Sequence, residues 1–198
     1  MNIVFDLGGV VVTWRPEAII AKVFADPEVR AAVRTEMIEH ADWLALDRGT
    51  LSPQDAIARA AKRTGLSEPE IAHFLHQVPL ELAPIPGTVD LLYRLKTRGH
   101  ALFCLSNMQL SAIAHLEATY SFWEVFSGRV ISSRVQLVKP EPAIYAHLLD
   151  THSLAATETI FIDDMDVNLT AASQFGLRTI KFKDAEQCEH HLRSIGCL

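Results

Sequence analysis

The sequence predicts an α/β protein: a doubly wound parallel sheet with helices on both faces and an all-helical segment inserted after the first strand. Three observations predict it. The runs Ile3-Val4-Phe5, Ala101-Leu102-Phe103-Cys104-Leu105 and Thr159-Ile160-Phe161-Ile162 are short, mostly apolar and non-alternating, and each stops at a polar residue. That is the pattern of strands buried on both faces, as in a parallel sheet. Segments of helical period separate the later runs, so strand and helix alternate along the second half of the chain. Between the first run and residue 83 the alternation disappears, and the segments read as helix.

The opening strand ends at Asp6, where Gly8 and Gly9 allow a sharp turn and a close backbone approach to a ligand. Val10 to Trp14 fits a short β-hairpin arm. Pro16 suits the first turn of a helix, and Glu17 complements the positive end of its dipole. Helical spacing then runs from Pro16 to about His76, broken at Asp26-Pro27 and at Arg48-Gly49-Thr50. Ser52 and Pro53 make an N-cap and first position, Gly65 closes that helix, and Ser67-Glu68-Pro69-Glu70 fits a capping box. Pro79, Pro84 and Pro86-Gly87 mark the change of regime. Val89 to Lys96 reads as helix, Ala101 to Leu105 as a strand ending at Ser106-Asn107, and Leu110 to Leu116 as helix. Val130-Ile131 is a short strand, Pro140 to Leu149 a helix, and Thr159 to Ile162 a strand ending at Asp163-Asp164. Val167 to Phe175 is helix closed by Gly176, and Arg178 to Ile180 is a last strand before a final helix. The expected division is a core of residues 1–15 and 84–198 with a helical cap of residues 16–83.

The bulk numbers narrow the function classes. With 49% hydrophobic and 21% charged residues the chain can bury a sizeable core. A net charge of −6 argues against nucleic acid or an anionic membrane as partner. An anionic substrate would therefore need local positive charge, from a lysine or a metal. The cysteines, Cys104, Cys188 and Cys197, show no metal-ligand spacing and read as free thiols, Cys104 in the core. The nine histidines show no HExxH-type pairing. No apolar run approaches membrane-spanning length, and the expectation is a soluble cytoplasmic monomer or homodimer.

In a parallel sheet the residues after each strand share one edge, where ligands bind. Here that edge collects Asp6, Ser106-Asn107 and Asp163-Asp164, with Lys139 just before a helix beyond the third strand. Taken singly, Ser106 is an N-cap and Lys139 a solvated lysine; taken jointly, they suit phosphoryl transfer. A phosphate monoester repels a carboxylate nucleophile, and Mg²⁺ between carboxylates and phosphate oxygens cancels that repulsion. Asp6 and Asp164 are the expected Mg²⁺ ligands, because this hard cation takes oxygen donors. Lys139, Ser106 and the amides at a helix start would bind the remaining phosphate oxygens. Asp6 would attack phosphorus to give an aspartyl-phosphate, which water hydrolyses.

Four motifs carry a family resemblance over essentially the whole chain: Asp6-Leu7-Gly8-Gly9-Val10, Leu105-Ser106-Asn107, Val138-Lys139-Pro140-Glu141-Pro142-Ala143-Ile144-Tyr145, and Phe161-Ile162-Asp163-Asp164-Met165-Asp166-Val167-Asn168. In this order, and with a helical insert after the first, they resemble the haloacid dehalogenase superfamily. The resemblance implies a Rossmann-like core with an α-helical cap. It also implies Asp6 as nucleophile and metal ligand, Ser106 and Lys139 as phosphate binders, and Asp164 as metal ligand. Asp163 and Asn168 fall at its supporting positions, where they would orient the ligands or metal-bound waters.

One position departs from the pattern. Phosphatases of this family usually carry a second Asp two residues after the nucleophile, which protonates the leaving oxygen and later activates water; here that position is Gly8. Its carbonyl can still bind the metal, but it has no proton to give, and general acid help is typically worth about 10²–10⁴-fold. Either another group substitutes or the leaving group needs little protonation. A sugar phosphate such as a hexose 1-phosphate meets the second condition, and the Asp-Leu-Gly opening resembles a subgroup that includes glucose-1-phosphate phosphatases. A 2-haloacid dehalogenase is the alternative, since halide needs no proton, but Asp163-Asp164 would then place unneeded charge beside an anionic substrate. A phosphomutase must also move protons, so Gly8 counts against it. A non-catalytic binding protein of the same fold would have no need of Asp6, Lys139 and Asp164 together. In the cap, Trp14, Arg15, Trp43 and Arg48 are candidates to face the pocket; the helical spacing of Trp43 reads as core, and Arg48 beside Gly49 lies in a turn able to reach a small phosphorylated substrate.

Overall fold

The computed structural model describes residues 1–198. After β1 (Asn2–Phe5) the chain passes through α1 (Pro16–Val23), α2 (Pro27–Val33), α3 (Ala41–Arg48), α4 (Pro53–Thr64) and α5 (Glu68–Leu80) before any second strand. Alternation then begins with α6 (Pro86–Thr97), β2 (Ala101–Ser106), α7 (Leu110–Thr119), β3 (Phe126–Ile131) and a short α8 (Ser132–Val135). It continues with α9 (Pro142–Thr151), β4 (Thr159–Asp163), α10 (Asp166–Gln174), β5 (Arg178–Lys181) and α11 (Ala185–Ser194). The strands form one sheet of order β3-β2-β1-β4-β5, with every pairing parallel. The first strand is therefore the central one, and Asn2 pairs with Ala101 on one side and Thr159 on the other.

The non-alternating strands are explained by where their side chains go. Ile3, Phe5, Leu102, Cys104, Ile160 and Ile162 enter a cluster shared with α6, α7 and α11. Val4, Phe103, Leu105 and Phe161 point the other way, into a cluster with α9 and α10. Both faces are apolar because both are covered, and each fully buried side chain of this size stabilises the fold by about 1.5–3 kcal/mol relative to exposure. β3 runs four residues further back than its apolar end suggests, through Ser127-Gly128-Arg129. It is an edge strand, so Ser127 and Arg129 reach solvent without breaking the pattern.

The inserted helices have a cluster of their own. Ile19, Ile20, Val33, Met37, Ile71 and Phe74 are its best-buried members, and none of them joins the two sheet clusters. The turn signals behave as their chemistry dictates: Ser52 Oγ accepts from the Asp55 amide at 3.1 Å, and Ser67 and Glu70 form the reciprocal capping box.

The segment from Val10 to Trp14 is not a hairpin arm. The amides of Val10, Val11 and Val12 all return to the Leu7 carbonyl, at 3.1, 2.8 and 2.9 Å, so their donors are spent in a tight turn. Val10, Val11 and Val12 are fully buried against the sheet, and Val12 makes only isolated bridges to Gly8 and Pro84. The apolar run serves packing, and its pairing is confined to the returning chain, where the Ile85 amide donates to the Val11 carbonyl and the Thr13 amide to the Ala83 carbonyl, both at 2.8 Å.

Candidate active site

The carboxyl edge of the sheet brings together residues far apart in sequence. Asp6 follows β1, Asn107 follows β2, Asp163 ends β4 with Asp164 next, and Lys139 comes in from the loop before α9. Carboxylate oxygens of Asp6, Asp163 and Asp164 lie within 4.8 Å of one another. Lys139 Nζ sits between two of them, 2.9 Å from Asp6 Oδ1 and 2.7 Å from Asp163 Oδ2. Its ammonium also lies 5.4 Å from the Phe161 ring centre, a favourable position for a cation.

Each member is held by its own set of contacts. Asp6 Oδ1 accepts from the Leu7 amide at 2.7 Å as well as from Lys139, and its Oδ2 takes no hydrogen bond from the protein. Asp163 is fully buried and saturated: it accepts from Lys139 Nζ, from the Met165 amide and, with both oxygens, from Asn168 Nδ2 at 3.1 Å. Asn107 Nδ2 donates to the Lys139 carbonyl at 2.9 Å while its Oδ1 accepts from the Lys139 amide at 2.8 Å, which fixes the backbone that carries the lysine. Gly9, at φ +77°, passes so close that a Cβ there would lie 2.6 Å from Asp164 Oδ2. Glycine at that position is thus a requirement of both backbone and space. Gly8 is under no such pressure, since a Cβ there would meet only Trp14 Cβ at 3.8 Å.

Three carboxylates around one ammonium leave a net negative charge in a buried place. Burial pushes the Asp6 pKa up to about 7, with the charges of Asp163 and Asp164 adding to the effect and Lys139 opposing it. The Asp164 pKa is also raised, by burial first and then by Asp163. Burial works against the Lys139 charge, yet Asp6 and Asp163 outweigh it and hold its pKa above the ordinary lysine value. The cluster lacks positive charge, and only protons or a cation can supply it. The donor set suits a hard divalent cation: Asp163 is used up by its hydrogen bonds, which leaves Asp6, Asp164 and the Gly8 carbonyl as the oxygens that would hold Mg²⁺.

These groups line one end of a cavity of about 420 Å³. Its walls include Trp14, Trp43, Leu44 and Met108, and ten of its nineteen residues are hydrophobic, so the rest of the cavity contrasts sharply with the charged end. Trp14 and Trp43 face each other with ring centres 5.8 Å apart. Trp43 therefore lines the cavity as well as packing on the insertion's own cluster, where its spacing alone read as core.

Of the residues singled out by sequence, the structure gathers Asp6, Gly8, Asn107, Lys139, Asp164 and Asn168 around the cavity, with Asp163 directly behind Lys139. Ser106 is buried at the end of β2 and is not among the lining residues. Arg48 does not line the cavity either: its guanidinium makes a two-pronged pair with Glu141, at 2.8 and 2.5 Å. The neighbouring Asp47 lines it instead, together with Gln109. Burial pushes the Asp47 pKa up to about 7; the Gln109 amide pulls it down, and the charge of Asp6 adds to the rise. Sequence reasoning passed over Asp47, although one signal was available. A carboxylate in the last turn of α3 faces the negative end of the helix dipole, a placement with a local cost.

A family model for haloacid dehalogenase-like hydrolases matches residues 1–176. The chain belongs to that family. This haloacid dehalogenase-like hydrolase is 29% identical over 195 residues to the sesquiterpene phosphatase astK of Aspergillus oryzae, a match covering 98% of this chain and 96% of that protein. Its fold superposes on a haloacid dehalogenase family enzyme of Bacteroides thetaiotaomicron with a TM-score of 0.78, at 22% identity, over 97% of this chain and 98% of that one. A second structure of that bacterial enzyme, complexed with magnesium and inorganic phosphate, superposes at 0.73 with 21% identity over 92% and 93% of the two chains. At such identities the structural likeness concerns the fold.

Proposed function

We propose that this hydrolase is a Mg²⁺-dependent phosphatase acting on a phosphate monoester whose organic group is apolar, through an aspartyl-phosphate on Asp6. The observation that carries the reading is the juxtaposition of the Asp6, Asp163, Asp164 and Lys139 cluster with an apolar cavity. Mg²⁺ held by Asp6, Asp164 and the Gly8 carbonyl would neutralise charge between the carboxylates and the phosphate oxygens. Asp6 presents Oδ2, the oxygen free of hydrogen bonds, to phosphorus. Lys139 balances the phosphate charge from a fixed position, because Asp163 and Asn107 hold its two ends. Asn168 keeps Asp163 in place, while Ser106, buried off the cavity wall, has no place in the phosphate's surroundings. The helices of residues 16–83 act as a cap over this end of the sheet, closing it to water during the reaction.

A hexose 1-phosphate is favoured by Gly8 alone, through its easy leaving group. The cavity favours a different group. A sugar needs polar partners for every hydroxyl it buries, whereas these walls are largely hydrocarbon and indole. Leu44, Met165 and Val167, three of the large hydrophobic side chains left exposed by the fold, all lie at this cavity. The likeness to a protein described as a sesquiterpene phosphatase supports the same choice. No observation favours 2-haloacid dehalogenation, in which Asp164 would have no partner.

The test is phosphate release from p-nitrophenyl phosphate, an isoprenyl monophosphate and glucose 1-phosphate, with Mg²⁺ and with EDTA. Turnover that needs Mg²⁺ and runs highest in kcat/KM on the isoprenyl ester is expected. Turnover indifferent to EDTA would overturn the phosphatase reading, and preference for glucose 1-phosphate would overturn the apolar substrate.

A further inference from the structure

We propose that Asp47, on the last turn of α3, is the general acid and base that Gly8 cannot be. The inference rests on the phosphatase reading above and adds the group that handles the proton.

The case begins with position. Asp47 and Asp6 line the same cavity, and Asp6 and Lys139 are the two charges that act on Asp47. The arginines of α3, α4 and α8 are paired elsewhere. Arg59 and Arg63 of α4 bond Asp42, Arg134 of α8 bonds Glu117, and Arg48 bonds Glu141. Asp164 is the remaining charge in the cavity wall. Asp47 therefore shares the cavity with the reaction centre, and the neighbour that bonds its carboxyl is the neutral Gln109 amide.

Its position is also fixed, although it belongs to the insertion. Ser132 Oγ at the end of β3 donates a short hydrogen bond to the Asp47 carbonyl and accepts from the Met108 amide at 2.8 Å. Gly49, at φ +78°, brings the end of α3 so close to α8 that a Cβ there would lie 2.5 Å from the Ser133 carbonyl oxygen. The Arg48–Glu141 pair adds a third tie, two residues from Lys139. The backbone that carries the carboxyl is thus preorganised at the sheet edge, and Gln109 bonds the carboxyl itself, the kind of positioning that proton transfer requires. Burial holds its pKa above the ordinary carboxylate range, with the Gln109 amide opposing the rise and the charge of Asp6 adding to it.

The balance of the two steps is simple. Asp6 Oδ2 forms a bond to phosphorus as the bond from phosphorus to the ester oxygen breaks; that oxygen keeps the electron pair and takes the Asp47 proton, leaving as an alcohol. Water then attacks phosphorus, its proton passes to the Asp47 carboxylate, and the bond to Asp6 breaks to give inorganic phosphate. Asp47 ends protonated and Asp6 ionised, as both began.

The experiment compares leaving groups in rapid-mixing assays with Mg²⁺. The wild type and Asp47→Asn receive p-nitrophenyl phosphate, whose leaving group needs no proton, and an alkyl phosphate, whose leaving group does. Expected for D47N is a phosphoenzyme-forming burst on the aryl ester near the wild-type rate, accumulation of aspartyl-phosphate after it, and a fall of about 10²–10⁴-fold on the alkyl ester. Equal losses on both esters, or no loss on either, would overturn the role of Asp47. The wild type needs no variant for the second measurement: its burst rate on the alkyl ester falls as pH rises through the Asp47 pKa, and its burst on the aryl ester lacks that fall. A shared profile for the two esters overturns the proposal even if D47N misfolds. Rescue closes the set, because Gly8 has room for a side chain: G8D in the D47N background restores alkyl turnover by at least tenfold. A wild type without Mg²⁺-dependent turnover on either ester sinks the phosphatase reading itself, which is a different result from an inert substitution at 47.

Discussion

The two ends of the cavity are built by different means. The charged end stands on three adjacent parallel strands, and its members hold one another: Asp163 through Lys139, Asn168 and the Met165 amide, Lys139 through Asn107. The apolar end draws half of its hydrophobic side chains from the insertion, whose helices pack on a separate cluster and meet the core where α5 lies on α7 and through ties at the end of α3. Rigid strand ends fix a geometry that phosphorus chemistry needs unchanged for any substrate. Docked helices can change their lining side chains without disturbing that geometry. Substitutions at the charged end should therefore affect all substrates and the stability of the fold, and those at the apolar end should sort substrates.

The largest effect is expected at Lys139. Lys139→Ala strands Asp6 and Asp163 as buried carboxylates without a counter-ion, a loss of about 3–5 kcal/mol for a broken buried pair. Urea unfolding should show the loss in Mg²⁺-free buffer, and phosphate release should be abolished for every ester. A K139A protein as stable as the wild type would mean that the two ends are equally tolerant.

The acid cluster also sets the response to pH. Asp6 and Asp47 carry pKa values near 7 in the folded chain against ordinary carboxylate values when unfolded. Between about pH 4 and 7 the folded state thus binds more protons than the unfolded one, and stability falls as pH rises through that window. Below it both states are protonated at these two groups and their contribution is complete. Mg²⁺ should restore the lost stability near neutral pH, by about 2.7 kcal/mol at a hundredfold excess over its Kd. Thermal melts at several pH values with and without Mg²⁺ check both signs, and a stability that rises across the window in Mg²⁺-free buffer would contradict the charge balance of the cluster.

At the apolar end, Trp43→Ala removes an indole from the wall opposite Trp14. The expected result is a drop of about tenfold in kcat/KM for an isoprenyl phosphate, the size of one or two kcal/mol of lost apolar contact, with p-nitrophenyl phosphate much less affected. Equal losses on both esters would place Trp43 in the chemistry and not in selection.

The same division explains what the sequence made legible. Asp6, Asn107, Asp163 and Asp164 sit directly after apolar runs, so a local pattern locates them once parallel strands are expected. Asp47 and Trp43 depend on how inserted helices lie on the sheet edge, which no local pattern carries, and Gln109, just past β2, gains its part only through Asp47. Trp43 has the spacing of a core residue because it is partly one, and only the tertiary arrangement shows its second face. Val10 to Val12 misled for the same reason, since a valine run packs equally well in a turn when the fold covers it. At Arg48 the turn is legible and the partner is not, because Glu141 lies 93 residues away.

That residue gives the smallest effect and the sharpest division. If Arg48 ties the insertion to the loop carrying Lys139, then Arg48→Ala and Glu141→Gln are two ways of cutting one tie. The pair is partly exposed, 26% at Arg48 and 44% at Glu141, so its loss should cost at most about 1 kcal/mol. Both variants should raise KM by a similar factor of a few, and the double variant should add little to either. An arginine that touches the substrate phosphate behaves differently. R48A would then lose far more than E141Q, and E141Q, by freeing the guanidinium, would leave activity unchanged or raise it. Steady-state kinetics on the three variants separate these outcomes, and an R48A defect well beyond that of E141Q would move Arg48 from the tie into the site.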